Sequence, residues 1–285
     1  MGANAYSLTM WASILQEDCP NGDISADCLG LGDTQVTAAI LSKDSGIFFG
    51  EALVQPLIDA LQQPLSYTYH VHDGAPLTPG QPILTLLGTA RAIVQLERPL
   101  LNCLQHLSGV ASITHQFVSA LNNPSIAIVD TRKTTPLWRK WEKKAVVAGG
   151  GKNHRMNLSD MILIKENHIQ SFAHLNNNQT LSDCIANAKA RYPQHLLEIE
   201  LDSPDRLQDW DLTAADIIMF DNFDFHALQA ASAYCRNRYP NALLEVSGNV
   251  TLDTVCHYSE LPIDRIAIGR LTHSVRALDM SLLVQ

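Results

Sequence analysis

The chain has 285 residues, 46% of them apolar, and a net charge of −9. That length and apolar content can bury a sizeable core, which excludes disorder, and the acidity excludes nonspecific nucleic-acid binding. No apolar run reaches the roughly 20 residues of a membrane helix. Met1 to Gln16 lacks the basic start and apolar stretch of a signal peptide. The six cysteines are scattered without a Cys-x-x-Cys pair, which reads as reduced thiols in a cytoplasmic protein.

In the first 90 residues the strand-like stretches are Val36–Leu41, Tyr67–Val71 and Ile83–Leu87, the last two separated by the turn Thr78-Pro79-Gly80-Gln81. The alternation from Ser66 to His72 suits a half-buried strand, and this part reads as an antiparallel α+β domain. Residues 90–121 form one helix, with Ile93, Leu96, Leu100, Leu104 and Leu107 on a single face; it carries Glu97-Arg98, and Ser108-Gly109 marks a break or a tight packing point. From residue 126 short apolar strands alternate with helices. The strands are Ile126–Asp130, Met161–Lys165, Leu196–Leu201, Ile217–Phe220, Leu243–Val246 and Arg265–Gly269. The helices are Leu137–Ala148, Leu181–Tyr192, Phe225–Tyr239 and Leu252–Tyr258. Such alternation implies a parallel sheet covered on both faces, with six strands against the eight of a full barrel. Asn176-Asn177-Asn178 reads as a polar loop.

The polar residues fall where the strands end. The first strand runs into Thr131-Arg132-Lys133, the second onto Lys165, and the third through Glu198 to Glu200 and Asp202. The fourth ends on Asp221-Asn222, the fifth on Ser247-Gly248-Asn249, and the sixth on Gly269. In a parallel α/β barrel these ends share one rim, the usual place of an active site. Arg and Lys grip carboxylates and phosphates, glycine turns bring backbone N–H groups to a phosphate, and carboxylates among cations suit Mg²⁺ or sugar hydroxyls. Eight of the twenty Lys and Arg residues lie between Arg132 and Arg155, with Glu142 the only acid among them. That segment is either a local anion site or, over Arg139–Lys144, a solvated basic helix face. Gly149-Gly150-Gly151 could cradle a phosphate or simply end that helix. His70 and His72 alone do not make a metal site.

Three segments, Asp130-Thr131-Arg132-Lys133-Thr134-Thr135-Pro136, Gly149-Gly150-Gly151-x-Asn153-His154-Arg155 and Leu163-Ile164-Lys165-Glu166-Asn167-His168, resemble the hallmark segments of quinolinate phosphoribosyltransferases. Glu198-x-Glu200, Asp221-Asn222, Ser247-Gly248 and Gly269-x-Leu271-Thr272-His273 follow in the family's order, and Glu97-Arg98 fits upstream. The resemblance covers nearly the whole chain. It implies decarboxylating phosphoribosyl transfer from phosphoribosyl pyrophosphate to quinolinate, in the biosynthesis of NAD. The implied fold is an N-terminal α+β sandwich domain (residues 1–105, joined by the tail 275–285) followed by an incomplete parallel α/β barrel (106–274), assembled as a homodimer. Carried over by position, Arg132, His154, Arg155 and Lys165 hold quinolinate, with Arg98 reaching in from the partner subunit. Lys133, Lys165, Glu200 and Asp221 are the catalytic set; Glu200 and Asp221 hold Mg²⁺ together with phosphoribosyl pyrophosphate, and no organic cofactor is needed. Ser247, Gly248 and Gly269 hold the ribose phosphate, and Thr131 and Asn249 are further substrate-binding residues. Two departures stand beside that phosphate site: Asn249, where relatives often have a second Gly, and Arg270, where Ala is common. The competing readings are another phosphoribosyltransferase, such as a nicotinate-specific one that grips a single carboxylate, and a catalytically silent anion binder.

Overall fold

The computed structural model of the chain describes residues 2–174 and 180–285; Asn176-Asn177-Asn178 lies outside them. In chain order the elements are α1 (Gly2–Asp18), α2 (Ile24–Cys28), β1 (Gln35–Ser42), β2 (Gly46–Ile47), α3 (Glu51–Leu61), β3 (Leu65–Tyr69), β4 (Pro76–Leu77), β5 (Pro82–Thr89) and α4 (Ala90–Leu121). There follow β6 (Ala127–Val129), α5 (Arg139–Ala148), β7 (Ile162–Ile164), α6 (Glu166–Ala173), α7 (Leu181–Arg191), β8 (Leu197–Leu201), α8 (Arg206–Asp209), β9 (Ile217–Asp221) and α9 (Phe225–Arg238). The chain closes with β10 (Leu243–Ser247), β11 (Arg265–Ala267), α10 (Arg270–His273) and β12 (Met280–Val284). These elements fall into two compact units, residues 1–115 with 147–150 and 274–285, and residues 116–146 with 151–273.

The first unit is built on an antiparallel sheet in the order β12-β1-β5-β3. The tail strand β12 pairs along β1 from Ala38↔Val284 to Ser42↔Met280. Helix α3 starts without a side-chain cap of its own. Asp73, distant in sequence, fills that role by accepting the Gly50 and Glu51 N–H groups at 2.6 and 3.1 Å. Glu51 in turn accepts from the Asp73 N–H at 3.0 Å and binds His72 at 2.6 Å, so His72 is a partner of a carboxylate. Ser108-Gly109 does not break α4. Gly109 is instead a close approach: a Cβ there would lie 2.4 Å from the Arg276 carbonyl oxygen of the tail.

The second unit is a six-stranded parallel sheet in the order β6-β11-β10-β9-β8-β7. Its central strands are buried on both faces, and Leu197, Ile199, Ile217, Ile218 and Leu244 are fully inaccessible. Beyond β6 the chain adds one more bridge, Val129 with Lys152, sealed by Lys152 N–H to the Ile128 carbonyl at 2.8 Å. The glycine run makes this possible: Gly150 takes φ +91° and the Gly151 N–H returns to the Val146 carbonyl at 3.0 Å, ending α5. Residues 152–155 therefore lie beside Asp130–Lys133. Where a helix was expected over Leu252–Tyr258, a 3-10 turn forms at Val255–Glu260.

Candidate active site

Side chains alternate across a strand, so residues two apart share a face. On the sheet face that carries the site this gives an inner layer and a rim. Leu163, Met219 and Ala267 form a floor, and two residues further along stand Lys165, Asp221 and Gly269. Two adjoining cavities open there, of about 190 and 370 Å³, and share Thr131, Lys133, Ser247 and Ala267 in their walls.

The smaller lobe is walled by Arg132, Arg155, Lys165, His154 and Asp221. Arg132 Nε is buried without a hydrogen-bond partner among the described residues. Arg155 is itself buried, with one guanidinium nitrogen on the Met161 carbonyl at 3.1 Å. Burial first, and then the charge of Arg132 beside it, lowers the pKa of Arg155. Two guanidiniums lining one part-dry pocket define a seat for negative charge.

Lys165 pairs with Glu200, whose side chain is 11% exposed against 42% for the lysine. Asp221 accepts from the Asn222 side-chain amide at 2.8 Å. His168 serves locally, its Nδ1 accepting the Lys165 N–H at 3.1 Å.

The loop 131–135 is tied by hydrogen bonds of its own and by three residues outside it. Thr131 Oγ1 accepts the Lys133 N–H at 3.0 Å, Thr272 donates to the Lys133 carbonyl at 2.8 Å, and Glu142 accepts the Thr135 N–H at 3.1 Å. Arg139 Nε donates to Thr134 Oγ1 at 2.9 Å. Beneath the loop, Lys143 is fully buried and donates to Asp130 and, at 2.9 Å, to the His154 carbonyl. Asp130 Oδ1 also accepts the His154 N–H at 2.9 Å. With its amide turned to satisfy both contacts, Asn153 donates to Asp130 Oδ2 at 2.6 Å and to the Lys143 carbonyl at 2.8 Å. The basic helix is thus only partly a solvated face. Lys140 and Lys144 lie over the Trp141 ring, while Glu142 and Lys143 support the site.

His154 lines the smaller lobe, and protein groups lie against both its ring nitrogens. Nδ1 accepts the Arg155 N–H at 2.7 Å, and Nε2 lies 3.0 Å from Glu198 and 3.4 Å from Glu245. Arg265 pairs with both carboxylates. Burial alone would lower the imidazole pKa, but the bonds to Glu198 and Glu245 overcome it and raise it to about 9. The Arg155 N–H aimed at Nδ1 favours the neutral ring instead; either way Nε2 carries a proton facing Glu198. His154, Glu198 and Glu245 bring three ligand atoms within 4.8 Å of one another, as a metal would require. Arg265 already supplies the cation there, and the group reads as a buried ion cluster. Glu245 and Arg265 were not singled out from sequence, although a glutamate inside Leu243-Leu244-Glu245-Val246 is a signal of its own.

The larger lobe has no carboxylate in its wall. Lys133 enters it, along with Ser247, Thr251 and the turn Gly248-Asn249. Gly248 is required twice over: its φ is +96°, and a Cβ would fall 2.1 Å from Asn222 Oδ1. Asn249, at φ +49°, donates its amide to the same Asn222 oxygen at 3.0 Å, so the departure from glycine stitches two turns together. Gly269 leaves room for the Lys133 stem, which a Cβ would meet at 2.9 Å. Arg98, exposed on α4, belongs to the first unit and lines neither cavity.

Residues 23–108 match the family model of the quinolinate phosphoribosyl transferase N-terminal domain, and residues 110–283 that of the C-terminal domain. The nicotinate-nucleotide pyrophosphorylase [carboxylating] of Mycobacterium leprae is 35% identical over 271 residues, covering 94% of this chain and 93% of that protein. The solved nicotinate-nucleotide pyrophosphorylase of Francisella tularensis is 31% identical and superposes with a TM-score of 0.88 over 100% of this chain and 98% of its own. NadC from Streptococcus pyogenes is 33% identical, with a TM-score of 0.88 over 97% of this chain and 96% of its own. The chain belongs to the quinolinate phosphoribosyltransferase family.

Proposed function

We propose that the two lobes divide the family's reaction between them, with quinolinate in the smaller and the ribose phosphate of phosphoribosyl pyrophosphate in the larger. The reaction is decarboxylating phosphoribosyl transfer: quinolinate and phosphoribosyl pyrophosphate give nicotinate mononucleotide, pyrophosphate and CO2. The observation that carries the division is the pair Arg132 and Arg155. A site for one carboxylate gains little from a buried guanidinium beside a half-buried one and a lysine, whereas a ligand with two adjacent carboxylates relieves them.

In this reading Arg132, Arg155 and Lys165 orient the pyridine nitrogen toward ribose C1, and Lys133 at the junction of the lobes neutralises charge growing on the departing pyrophosphate. The C1–oxygen bond breaks as the C1–nitrogen bond forms. The nitrogen, now cationic, stabilises the carbanion left when the adjacent carboxylate departs as CO2, and water supplies the proton. No organic cofactor enters this scheme. Glu200 and Asp221 are the residues that would hold Mg²⁺. Two carboxylates without a third protein ligand suit an ion that keeps waters and binds substrate phosphates, and it would supply electrostatic stabilisation of the leaving group. A homodimer, with Arg98 crossing to the partner's site, is the proposed assembly. The proposed compartment is the cytoplasm, supported by six unpaired cysteines. Among the described residues no helix is long and apolar enough to cross a membrane.

Calorimetry on Arg132→Ala and Arg155→Ala tests the division. Quinolinate binding should weaken by about 2–5 kcal/mol, the cost of breaking a charged hydrogen-bonded pair, with phosphoribosyl pyrophosphate affected less. Unchanged quinolinate affinity in both variants would remove the smaller lobe from the reaction.

A further inference from the structure

Arg270 has no place in the scheme above, yet it opens α10 directly after Gly269 and forms part of the larger lobe's wall. Its side chain is exposed, and among the described residues it has no ion-pair partner. Other arginines of this acidic chain have found acids: Arg91 with Asp27, Arg206 with Asp202, Arg236 with Asp264. A guanidinium left over in a cavity without a carboxylate, across from the locked Gly248-Asn249 turn, has the chemistry of an anion ligand in waiting.

We infer that Arg270 is a specificity-determining residue of this enzyme, a ligand for the phosphate monoester that stays on the ribose throughout the reaction. The inference rests on the assignment of the larger lobe to the ribose phosphate. That phosphate is carried by the substrate and kept by the nucleotide product. A contact to it has the same strength before, during and after bond making, so it tightens binding without selectively stabilising the transition state. Arg270 therefore lowers the KM for phosphoribosyl pyrophosphate and slows departure of the mononucleotide. Lys133 differs in lining both lobes, which puts it within reach of the bond that breaks.

The test compares Arg270→Gln and Arg270→Lys with the wild-type enzyme. Steady-state kinetics are combined with calorimetry of nicotinate mononucleotide and of its dephosphorylated riboside. Loss of one solvent-exposed charged hydrogen bond should raise both the KM for phosphoribosyl pyrophosphate and the Kd of the mononucleotide roughly tenfold in R270Q. The loss should fall on KM rather than kcat, R270K should recover most of it, and riboside binding should not respond. An R270Q enzyme with wild-type KM and mononucleotide affinity would overturn the inference, as would a loss confined to kcat or one shared equally by the riboside. Lys133→Ala separates the two levels of the argument. If K133A loses mononucleotide affinity while R270Q keeps it, only Arg270 is misassigned. If the wild-type enzyme binds mononucleotide and riboside equally well, the larger lobe is not a phosphate site at all.

Discussion

Lys143→Met probes how the two cation-bearing segments are held together. Lys143 and Asp130 are both fully inaccessible. The ammonium also serves the His154 carbonyl, and the carboxylate also accepts the His154 N–H. A methionine fills the space of the lysine stem but strands Asp130 and that carbonyl. Breaking a buried pair by removing one partner costs about 3–5 kcal/mol. For a unit of this size that lowers the thermal midpoint by roughly 6–20 °C. The deficit should depend on pH. Burial already holds the Asp130 carboxyl above the usual carboxylate range against the pull of Lys143, and without the lysine it rises further. A carboxyl raised in the folded state contributes stability that is complete below its unfolded pKa, about 3.9, and lost as pH climbs through the folded value. K143M should therefore melt closer to wild type at pH 5 than at pH 8. Adding Asp130→Asn removes the stranded charge yet leaves an acceptor for the His154 N–H, so the double variant should regain on the order of 1–3 kcal/mol over K143M. Scanning fluorimetry across pH measures all three proteins. A double variant less stable than K143M, or a K143M deficit that shrinks as pH rises, would refute the view that an uncompensated carboxylate is the cost.

Other expectations address the chemistry and the assembly. Glu200→Gln and Asp221→Asn remove charge with little change in volume, so turnover and its response to Mg²⁺ should both fall; a normal metal titration in both would reject them as ligands. Arg98→Ala and Lys133→Ala should each be nearly inactive alone, and refolded together they should recover roughly a quarter of wild-type activity, because half the dimers are mixed and each mixed dimer has one intact site. A mixture as inactive as its parents, with mixed dimers verified by mass, would place Arg98 within its own chain. Gly109→Ala should lower stability by about 1–3 kcal/mol, the usual cost of overpacking, because its methyl group meets the Arg276 carbonyl; a wild-type urea midpoint would show that the tail moves aside.

The second unit was legible because its strands are short, mainly apolar runs that stop on a polar residue or a glycine, and burial on both faces enforces that pattern. The first unit was read less completely. Helix α3 contains Pro56 and depends for its start on Asp73, more than twenty residues away. Strand β12 is five residues whose partner lies at the other end of the sequence. Neither has a local signature. Helix α6 was hidden inside a motif read for its chemistry, since Lys165 is at once a site residue and the cap of that helix. Within the site, the rim residues could be named from where strands end, but the support beneath them could not. Lys143 looks like its neighbours Lys140 and Lys144 in sequence, and only the packing of α5 separates a buried counter-ion from two solvated amines. Glu245 and Arg265 are in register on adjacent strands, a relation that appears only once the order of the sheet is known.

The place of β12 also sets the order in which the protein can be made. As the chain leaves the ribosome, residues 116–273 are complete while β1 still lacks its outer neighbour, because Ala38 must wait for Val284. The sheet encoded first is thus the last to be finished. Until then the apolar edge of β1 has to be shielded from strands of other chains. Truncating even the final dozen residues would leave the second unit intact in sequence and the edge of β1 in the first unit unpaired.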